Sequence, residues 1–323
     1  MNIDTLYQNV NILACTSELP EKDWFELRKI GIGGSDIAGI LGISKYNTPL
    51  SIYMTKVTDV EQVENKHTKF GKRMEPVIRE WICDEFYEKN NILLYTMPFP
   101  YFMQSKNYPF MTSNIDGLVK LAEPYTFEVN GESFTVPADK CGVLEIKTAS
   151  ESQWKQWKDD GIPDDYYCQI LWYMAITGLS YAMIVALVGK ELVWRFVFRD
   201  EEIINKLIET AKNFWTEHVE NKIPPAPIGL AADTAALHTL YPLETPEKML
   251  DLSHMADKRQ RYKEITEEIK ILQAEQEKIK QDFMAEMKDA ELAFVGEHKI
   301  TWKVVKRKEY VVKASESRQL RIY

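Results

Sequence analysis

The chain has 323 residues, a formal net charge of −9 and an apolar fraction of 45%, which is enough for a sizeable core. Its 16 Tyr, 13 Phe and 8 Trp exclude a disordered chain, and the scattered four Cys and five His argue against zinc, iron–sulfur or histidine-based sites. The N-terminus does not read as a leader, and no apolar run is long enough to span a membrane, so we expect a soluble cytoplasmic protein. The charge is uneven, with eight Lys/Arg against two Glu in residues 298–323, so the overall sign does not exclude a nucleic-acid partner.

The first elements are helices around a glycine-rich turn. EKDWFELRKI predicts a helix that runs into the turn GIGG, within residues 22–34. Ser35 or Asp36, both favourable N-cap residues, then begins a helix that carries IAGILG. TKFGKRMEPVIREWICDEFYEK predicts a long helix whose apolar residues share one broad face. These are Met74, Val77, Ile78, Trp81, Ile82 and Phe86.

Strands dominate the middle of the chain. We expect strand material at 93–102, in FMTSNIDGLVKL, in a small hairpin around Asn130-Gly131 and in CGVLEIKTA. A helix with acids in its first turn begins at Pro163 and ends at Gly178. Two strands, YAMIVALV and LVWRFVFR, then flank a turn at Gly189, and a helix at 200–221 ends before KIPPAPIG. This order predicts a mixed α/β core at residues 1–225 and an extension at 226–323.

The extension has a helical pattern at about 246–291. Its apolar residues recur at spacings of three and four, with Gln276 as a polar interruption, which is typical of a coiled coil. They are Tyr262, Ile265, Ile269, Leu272, Ile279, Phe283 and Met287. Such a stripe folds back on the core, pairs with another protomer or binds a partner. The tail AFVGEHKITWKVVKRKEYVV alternates like a basic strand pair, either bound to DNA phosphates or solvated. Its cations are Lys299, Lys303, Lys306, Arg307, Lys308, Lys313, Arg318 and Arg321.

The stretch GVLEIKTAS places two charges on a strand that otherwise reads as buried. Period-two alternation puts Glu145 and Lys147 on one face and Leu144 and Ile146 on the other. Asp116 lies in SNIDGLV, at the edge of a strand that can neighbour this one. Two carboxylates with the Ile146 carbonyl between them offer hard oxygen ligands for Mg²⁺, and Lys147 can hold or deprotonate a water. The alternative is that Asp116 caps a turn and that Glu145–Lys147 is a structural ion pair.

Other polar residues extend this candidate site. Arg28 and Ser35 bracket the glycine turn, whose N–H groups, Gly34 included, can approach a phosphate; the alternative is an ordinary capped helix. Glu75 is a further metal ligand or water holder, or else an exposed glutamate paired with Arg79 four residues on. Tyr166 and Gln169 share a helix face and either orient phosphate and Lys147 or are half-buried polar groups.

Five of these segments together resemble the YqaJ-type viral recombinase family, which includes phage-type exonucleases related to lambda exonuclease with the PD-(D/E)XK nuclease core. They are LRKIGIGGSDIAGILGISKYNTPLSIYMTK, GKRMEPVI, SNIDGLV, LEIKTAS and DDYYCQILWYMAITG, in family order over roughly residues 20–220. The resemblance implies a central mixed β-sheet flanked by helices and Mg²⁺, or Mn²⁺, with two ions in each site. The long extension after about residue 225 departs from the compact family members.

The resemblance also assigns residues and partners. It implies that Asp116 and Glu145 are metal ligands, that Lys147 is the catalytic lysine and that Glu75 is the accessory carboxylate. Arg28 and Ser35 would bind the 5′-phosphate. Tyr166 and Gln169 would support the site. The implied activity is 5′–3′ degradation of linear duplex DNA, often by a ring-shaped trimer, with transfer of the 3′ strand to a single-strand annealing protein in a bacterial host.

Two other functions remain open from the residues. The same core can serve a structure- or sequence-specific endonuclease, which would cut closed circular DNA. A nonenzymatic DNA-end-binding scaffold is the other alternative, although the presence of Asp116, Glu145 and Lys147 together argues against it. The apolar stripe of the extension indicates packing within or between subunits rather than docking of the annealing protein.

Overall fold

The computed structural model describes residues 4–59, 66–129, 131–157, 161–306 and 318–322. It divides into two compact units, Met1–Thr239 and Leu240–Tyr323. Within the described residues, no helix is both long and apolar enough to cross a membrane.

Helices and strands alternate along most of the chain. The helices up to residue 240 are α1 (Asp4–Asn9), α2 (Glu21–Lys29), α3 (Gly34–Ile40), α4 (Pro49–Val57), α5 (Lys66–Asn90), α6 (Asp164–Thr177), α7 (Glu201–Phe214) and α8 (Ala231–Leu240). The strands are β1 (Val10–Cys15), β2 (Leu94–Pro98), β3 (Tyr101–Ser105), β4 (Thr112–Ser113), β5 (Gly117–Leu121), β6 (Tyr125–Val129), β7 (Glu132–Val136), β8 (Gly142–Ala149), β9 (Tyr181–Val188) and β10 (Glu191–Phe198).

A mixed sheet forms the centre of the first unit. Among the described residues it has the strand order β10-β9-β8-β5-β2. β8 and β9 are parallel, with Glu145 opposite Ile184, and the other pairs are antiparallel. Every residue of β9 is buried, because a central strand with helices on both faces has no solvent side. The expected mixed α/β class with helices around a central sheet is confirmed.

Helices cover the two faces of this sheet. Ile78, Ile82 and Phe86 of α5 belong to one buried cluster with Leu144 and Ile146 of β8. The opposite face of β8 meets α6, whose residues from 168 to 174 are all buried. The period-two alternation of β8 therefore places Leu144 and Ile146 against α5 and turns Glu145 and Lys147 toward α6.

Smaller sheets join the glycine turn to this centre. β1, β3 and β4 form an antiparallel sheet, and Ile32 makes a parallel bridge to Met111 just before β4. The Trp172 indole on α6 donates to the carbonyls of Ile32 and Thr112, both at 3.2 Å. The hairpin of β6 and β7 forms where it is expected, and Asn130 in its turn lies outside the described residues.

In the second unit, the long helix α9 (Ala256–Met287) is followed by an antiparallel hairpin of β11 (Leu292–Val295) and β12 (His298–Thr301). A 3₁₀ turn, Ser253–Met255, precedes α9, and Lys288 ends it with a φ of 50°. The helical pattern at 246–291 is thus shorter than predicted, because 246–252 are not helical. Of the basic tail, Arg307, Lys308 and Lys313 lie outside the described residues.

Several other boundaries differ from the sequence-based prediction. The strand expected at 93–102 is two strands in different sheets, because Pro98 and Pro100 flank the break and lack the N–H that a ladder needs. The helix expected at 200–221 is α-helical only to Phe214 and continues as a π-helical turn, Trp215–Glu220. α1, β1, α4 and α8 were not predicted, and their short segments lack a clear period.

β2 and β5 approach each other closely at Gly117, where β5 begins. A Cβ atom there would lie 2.6 Å from the Met97 carbonyl oxygen. We expect Gly117→Ala to lower the free energy of unfolding in urea by roughly 1–3 kcal/mol, the range of overpacking.

Gly71→Ala is the matched control, because a Cβ there meets its nearest neighbour, Thr148 Oγ1, only at 3.6 Å. Gly71 lies inside α5, so alanine should stabilise by about 1 kcal/mol or less. Equal effects of the two changes would contradict the close approach at Gly117.

Candidate active site

The charged face of β8 forms a buried polar cluster. Lys147 Nζ lies 2.6 Å from Glu145 Oε1, and the Glu145 side chain is only 3% exposed. Gln169 of α6 joins the two, since its Nε2 donates to Glu145 Oε1 at 2.7 Å and its Oε1 accepts from Lys147 Nζ at 2.9 Å. One amide thus holds both charged groups in place.

Two tyrosines of α6 complete this side of the cluster. Gln169 Nε2 also donates to the hydroxyl of Tyr173 at 2.7 Å, one helical turn further on. Lys147 Nζ lies over the Tyr166 ring, 4.7 Å from its centroid, a cation–π distance. Tyr166 and Gln169 therefore both contact Lys147, as their shared helix face predicts.

Asp116 lies where β5 and β8 separate. Their pairing extends only as far as Gly117 opposite Leu144, so the backbone of β8 beyond Leu144 has no partner from β5. Asp116 Oδ2 takes this place and accepts from the Ile146 N–H at 2.7 Å. Because the N–H and C=O of one strand residue point to the same side, the Ile146 carbonyl faces this side as well.

Glu75 and Arg79 reach the same point from α5. They form an ion pair across one helical turn, which the sequence left as the alternative role of Glu75. Arg79 Nη2 also donates to the Asp116 carbonyl at 2.8 Å. Glu75 is close enough to Asp116 for that charge, after burial, to raise the pKa of Glu75.

Carboxyl groups outnumber cations in this cluster. Burial raises the pKa of Glu145, and Asp116 raises it further against the opposing effect of Lys147. Burial likewise raises the pKa of Asp116 although Lys147 lowers it. Burial disfavours the charge on Lys147, but Glu145 and Asp116 outweigh it and raise the pKa of Lys147. Three carboxylates thus face two cations, Lys147 and Arg79.

One buried oxygen of the cluster is available for a ligand. Within the described residues, Glu145 Oε2 has no hydrogen-bond partner. In the same part of the chain, no group of three or more His, Cys, Asp or Glu side chains is set to hold a metal ion by itself. Mg²⁺ is commonly bound by one or two carboxylates, waters and substrate phosphate, so this oxygen and Asp116 suit that ion.

A second buried cluster surrounds the glycine turn. Asp36 uses both carboxylate oxygens, Oδ1 toward Arg28 Nη2 at 2.8 Å and Oδ2 toward Lys56 Nζ at 2.7 Å. Arg28 Nη2 also donates to Ser35 Oγ at 2.9 Å. The N-cap of α3 is Gly33, not Ser35 or Asp36, because Asp36 at the third helical position accepts the Gly33 N–H instead.

Opposing effects set the protonation of this second cluster. Burial opposes ionisation of Asp36, but Lys56 and Arg28 outweigh burial and lower the pKa of Asp36 to about 2. Burial lowers the pKa of Lys56 in spite of Asp36. The ion pair therefore stabilises the fold by less than the lowered pKa of Asp36 alone would indicate.

The two clusters touch at Gly34. A Cβ atom on this glycine would lie 2.5 Å from the Tyr173 ring and 3.0 Å from Gln169 Cγ. Because residue 34 has no side chain, α3 packs directly on the part of α6 that holds Glu145 and Lys147. The structure thus brings Arg28, Gly34 and Ser35 next to the carboxylate cluster.

Several polar residues of the two clusters were not predicted from the sequence as site residues. Tyr173, Asp36 and Lys56 each bond a predicted site residue, but on a helix they resemble ordinary polar positions, and Arg79 was expected only as the ion-pair partner of Glu75. Ser113 Oγ and Asn114 Oδ1 are also buried and have no hydrogen-bond partner within the described residues. Their signal in the sequence was their place two and three residues before Asp116 in SNID.

The cations of the tail belong to the second unit. Lys303 pairs with Glu291 at 2.5 Å, and Arg318 donates to the Tyr241 carbonyl at 3.2 Å. Their binding to DNA stays a prediction.

Comparison with known proteins gives a family match. Residues 23–180 match the model of the YqaJ-like viral recombinase domain. Over 304 residues, the chain is 28% identical to YqaJ of Bacillus subtilis (strain 168), covering 92% of this chain and 88% of that protein. These matches confirm the resemblance that the motifs indicate.

Solved structures of other proteins resemble this chain with lower sequence identity. An alkaline exonuclease (LHK-Exo) from Laribacter hongkongensis has a TM-score of 0.45 and 16% identity, covering 62% of this chain and 94% of that chain. A phage-related exonuclease from Haemophilus somnus 129PT has a TM-score of 0.37 and 15% identity, covering 62% of this chain and 99% of that chain.

Asp36→Asn tests the buried ion pair. The change leaves the Lys56 charge buried without its carboxylate, so we expect the free energy of unfolding to fall by about 3–5 kcal/mol. Asp59→Asn is the control: Asp59 also pairs with a lysine, Lys29, at 2.6 Å, but its side chain is 96% exposed. That change should cost about 1 kcal/mol or less. Similar losses in the two variants would contradict the buried pair.

The pH dependence gives an independent measure of the same pair. Because the pKa of Asp36 lies below its usual 3.8, the stability from its charge is complete above that value and is lost as the pH falls toward about 2. The difference in unfolding free energy between the wild type and Asp36→Asn should therefore shrink between about pH 4 and about pH 2. A constant difference over this window would overturn the assignment.

Proposed function

From the match of residues 23–180 to the YqaJ-like viral recombinase domain, we propose that the chain is a metal-dependent nuclease with a PD-(D/E)XK core. Its reaction is the 5′–3′ exonucleolytic hydrolysis of linear double-stranded DNA. The observation that carries the proposal is the buried Glu145 Oε2, which has no hydrogen-bond partner within the described residues and lies in the cluster with Asp116 and Lys147. Asp36, the buried carboxylate of the second cluster, by contrast uses both of its oxygens.

The proposed metal ligands are Asp116, Glu145 and the Ile146 carbonyl, with Glu75 as a further ligand or water holder. Mg²⁺, or Mn²⁺ in its place, when bound, would lower the pKa of a coordinated water and neutralise charge on the phosphate. The resemblance implies two ions in each site. The excess of carboxylates over cations in the cluster supports a divalent ion at this position.

Lys147 is the proposed catalytic lysine. Its ammonium lies between Glu145 Oε1 and Gln169 Oε1, so it is positioned to hold the attacking water and to offset charge on the scissile phosphate. Gln169 and Tyr166 fix its direction through a hydrogen bond and the ring contact. Both are proposed to orient Lys147 and phosphate.

Arg28, Ser35 and the Gly34 N–H are proposed to bind the 5′-phosphate. In the described residues, both side-chain hydrogen bonds of Arg28 use Nη2. A guanidinium has five N–H donors, so it keeps others for a phosphate. The contact of Gly34 with Gln169 and Tyr173 supports a short distance between a bound DNA end and the scissile bond.

The polarity and the next step are proposed from the family resemblance. Removal of the 5′ strand leaves a 3′ single strand, which the protein would pass to a single-strand annealing protein during phage or prophage recombination. The proposed assembly is a ring-shaped trimer.

Lys147→Ala tests the catalytic cluster. Loss of the ammonium at the scissile phosphate should lower the rate of nucleotide release in Mg²⁺ by about a hundredfold or more, a typical loss for one electrostatic group. Lys120→Ala on the neighbouring strand β5 is the matched control and should retain activity. Full activity of Lys147→Ala would exclude the proposed role.

The DNA substrate distinguishes the proposed exonuclease from other functions. Linear duplex with one 5′-phosphorylated end should shorten from that end in Mg²⁺ but not in EDTA, and a closed circle should stay intact. Cutting of the circle would indicate an endonuclease, and binding of ends without cutting would indicate a scaffold.

Arg28→Ala tests recognition of the end. Loss of the guanidinium removes charge-assisted bonds to the 5′-phosphate, so the preference for phosphorylated over hydroxyl ends should fall about tenfold or more. The rate on hydroxyl ends should change little. Arg73→Ala, in α5 outside both clusters, serves as the control. An unchanged preference would contradict this role of Arg28.

A further inference from the structure

The helix α9 has an apolar stripe that the folded chain leaves exposed. Each of six side chains on it is between 39% and 63% exposed, whereas an apolar stripe of a globular helix is usually buried. They are Tyr262, Ile265, Ile269, Leu272, Ile279 and Phe283. We call this surface, together with Gln276, the α9 seam.

The spacing of the seam is that of a coiled coil and not of a helix packed on a sheet. Tyr262, Ile269, Gln276 and Phe283 are seven residues apart and occupy heptad position a. Ile265, Leu272 and Ile279 occupy position d. Three consecutive heptads of this kind, with charged residues beside them, indicate pairing with another helix of the same type.

We propose that the α9 seam binds the α9 seam of a second copy of this chain, in parallel and in register. Gln276 is the first reason. In a parallel pair it faces Gln276 of the partner copy, and the two amides can bond each other, as a polar residue at position a does when it fixes register. In an antiparallel pair that aligns Ile269 with Leu272, Gln276 would face the apolar Ile265.

The flanking charges favour the same orientation. In a parallel pair, Glu275 at position g faces Lys280 at position e of the other copy, an attractive contact that occurs twice. In the antiparallel alignment, Glu268 would face Glu275, a repulsive contact that also occurs twice. Lys280 has an ion pair within its own helix, with Glu277 at 3.3 Å, but that exposed pair is readily exchanged.

This inference is independent of the proposed nuclease activity, because it uses residues of α9 alone. It is compatible with the proposed ring, since a pair of α9 helices can join chains of two different rings. A chain without any DNA-cleaving activity would still pair in this way.

Cysteine cross-linking of the full chain tests the pairing and its direction. In Gln276→Cys the new thiol lies in the seam, next to its counterpart in a parallel, in-register pair. Ala274→Cys, two residues away at position f on the outer face, is the matched control. Under mild oxidation, Gln276→Cys should give a disulfide-linked dimer about tenfold faster than Ala274→Cys, because the seam raises the effective concentration of its thiols.

Charge substitutions in the Gln276→Cys background show whether the seam causes the cross-link. Ile269→Glu places a charge at position a and should abolish the fast cross-linking. Ile271→Glu makes the same change at position c, where the isoleucine is 68% exposed and outside the seam, and should leave it intact.

Three outcomes would overturn the proposal. Equal cross-linking at residues 274 and 276 would exclude a specific seam. No cross-linking at either residue would mean that another surface or another protein covers the stripe. A faster cross-link between Ile265→Cys and Gln276→Cys in a mixture than within Gln276→Cys alone would indicate an antiparallel pair.

Discussion

The separation of β5 from β8 after the Gly117–Leu144 pair is the constraint on which the site depends. A strand inside a sheet needs partners for its backbone groups, and beyond Leu144 the chain supplies an aspartate instead of a strand. Asp116 therefore satisfies the Ile146 N–H and is fixed within reach of the next two charged side chains. α5 and α6 reach this opening from opposite faces of the sheet and supply Glu75, Arg79 and Gln169.

The two buried clusters differ in how completely their charges are satisfied. Asp36 accepts from two cations and a backbone N–H, so all its contacts are internal to the fold. Glu145 accepts twice on one oxygen and leaves the other without a partner among the described residues. Leaving a buried oxygen unsatisfied costs about 1–3 kcal/mol or more, which suits a site that gains its partner on binding.

Part of the site follows from simple periodicities of the sequence. Alternation along β8 puts Glu145 and Lys147 on one face, and three-residue spacing puts Tyr166 and Gln169 together on α6. The partners Tyr173 and Lys56, and the bond from Arg79 to the Asp116 carbonyl, could not be predicted, because they depend on which elements meet in three dimensions. The break at Pro98–Pro100 had a local signal, but assigning β2 and β3 to separate sheets requires long-range pairing. The α9 seam was visible as a pattern, whereas its exposure was not.

The contact at Gly34 has a consequence for how sequences of this domain can diverge. Gly34 fits against Tyr173 only because it lacks a side chain, and the same tyrosine bonds the amide that holds Glu145. A larger residue at position 34 is compatible with this packing only if position 173 becomes smaller, and that change would remove a partner of Gln169. The two positions should therefore covary as a pair, and a lone substitution at either one should be rare.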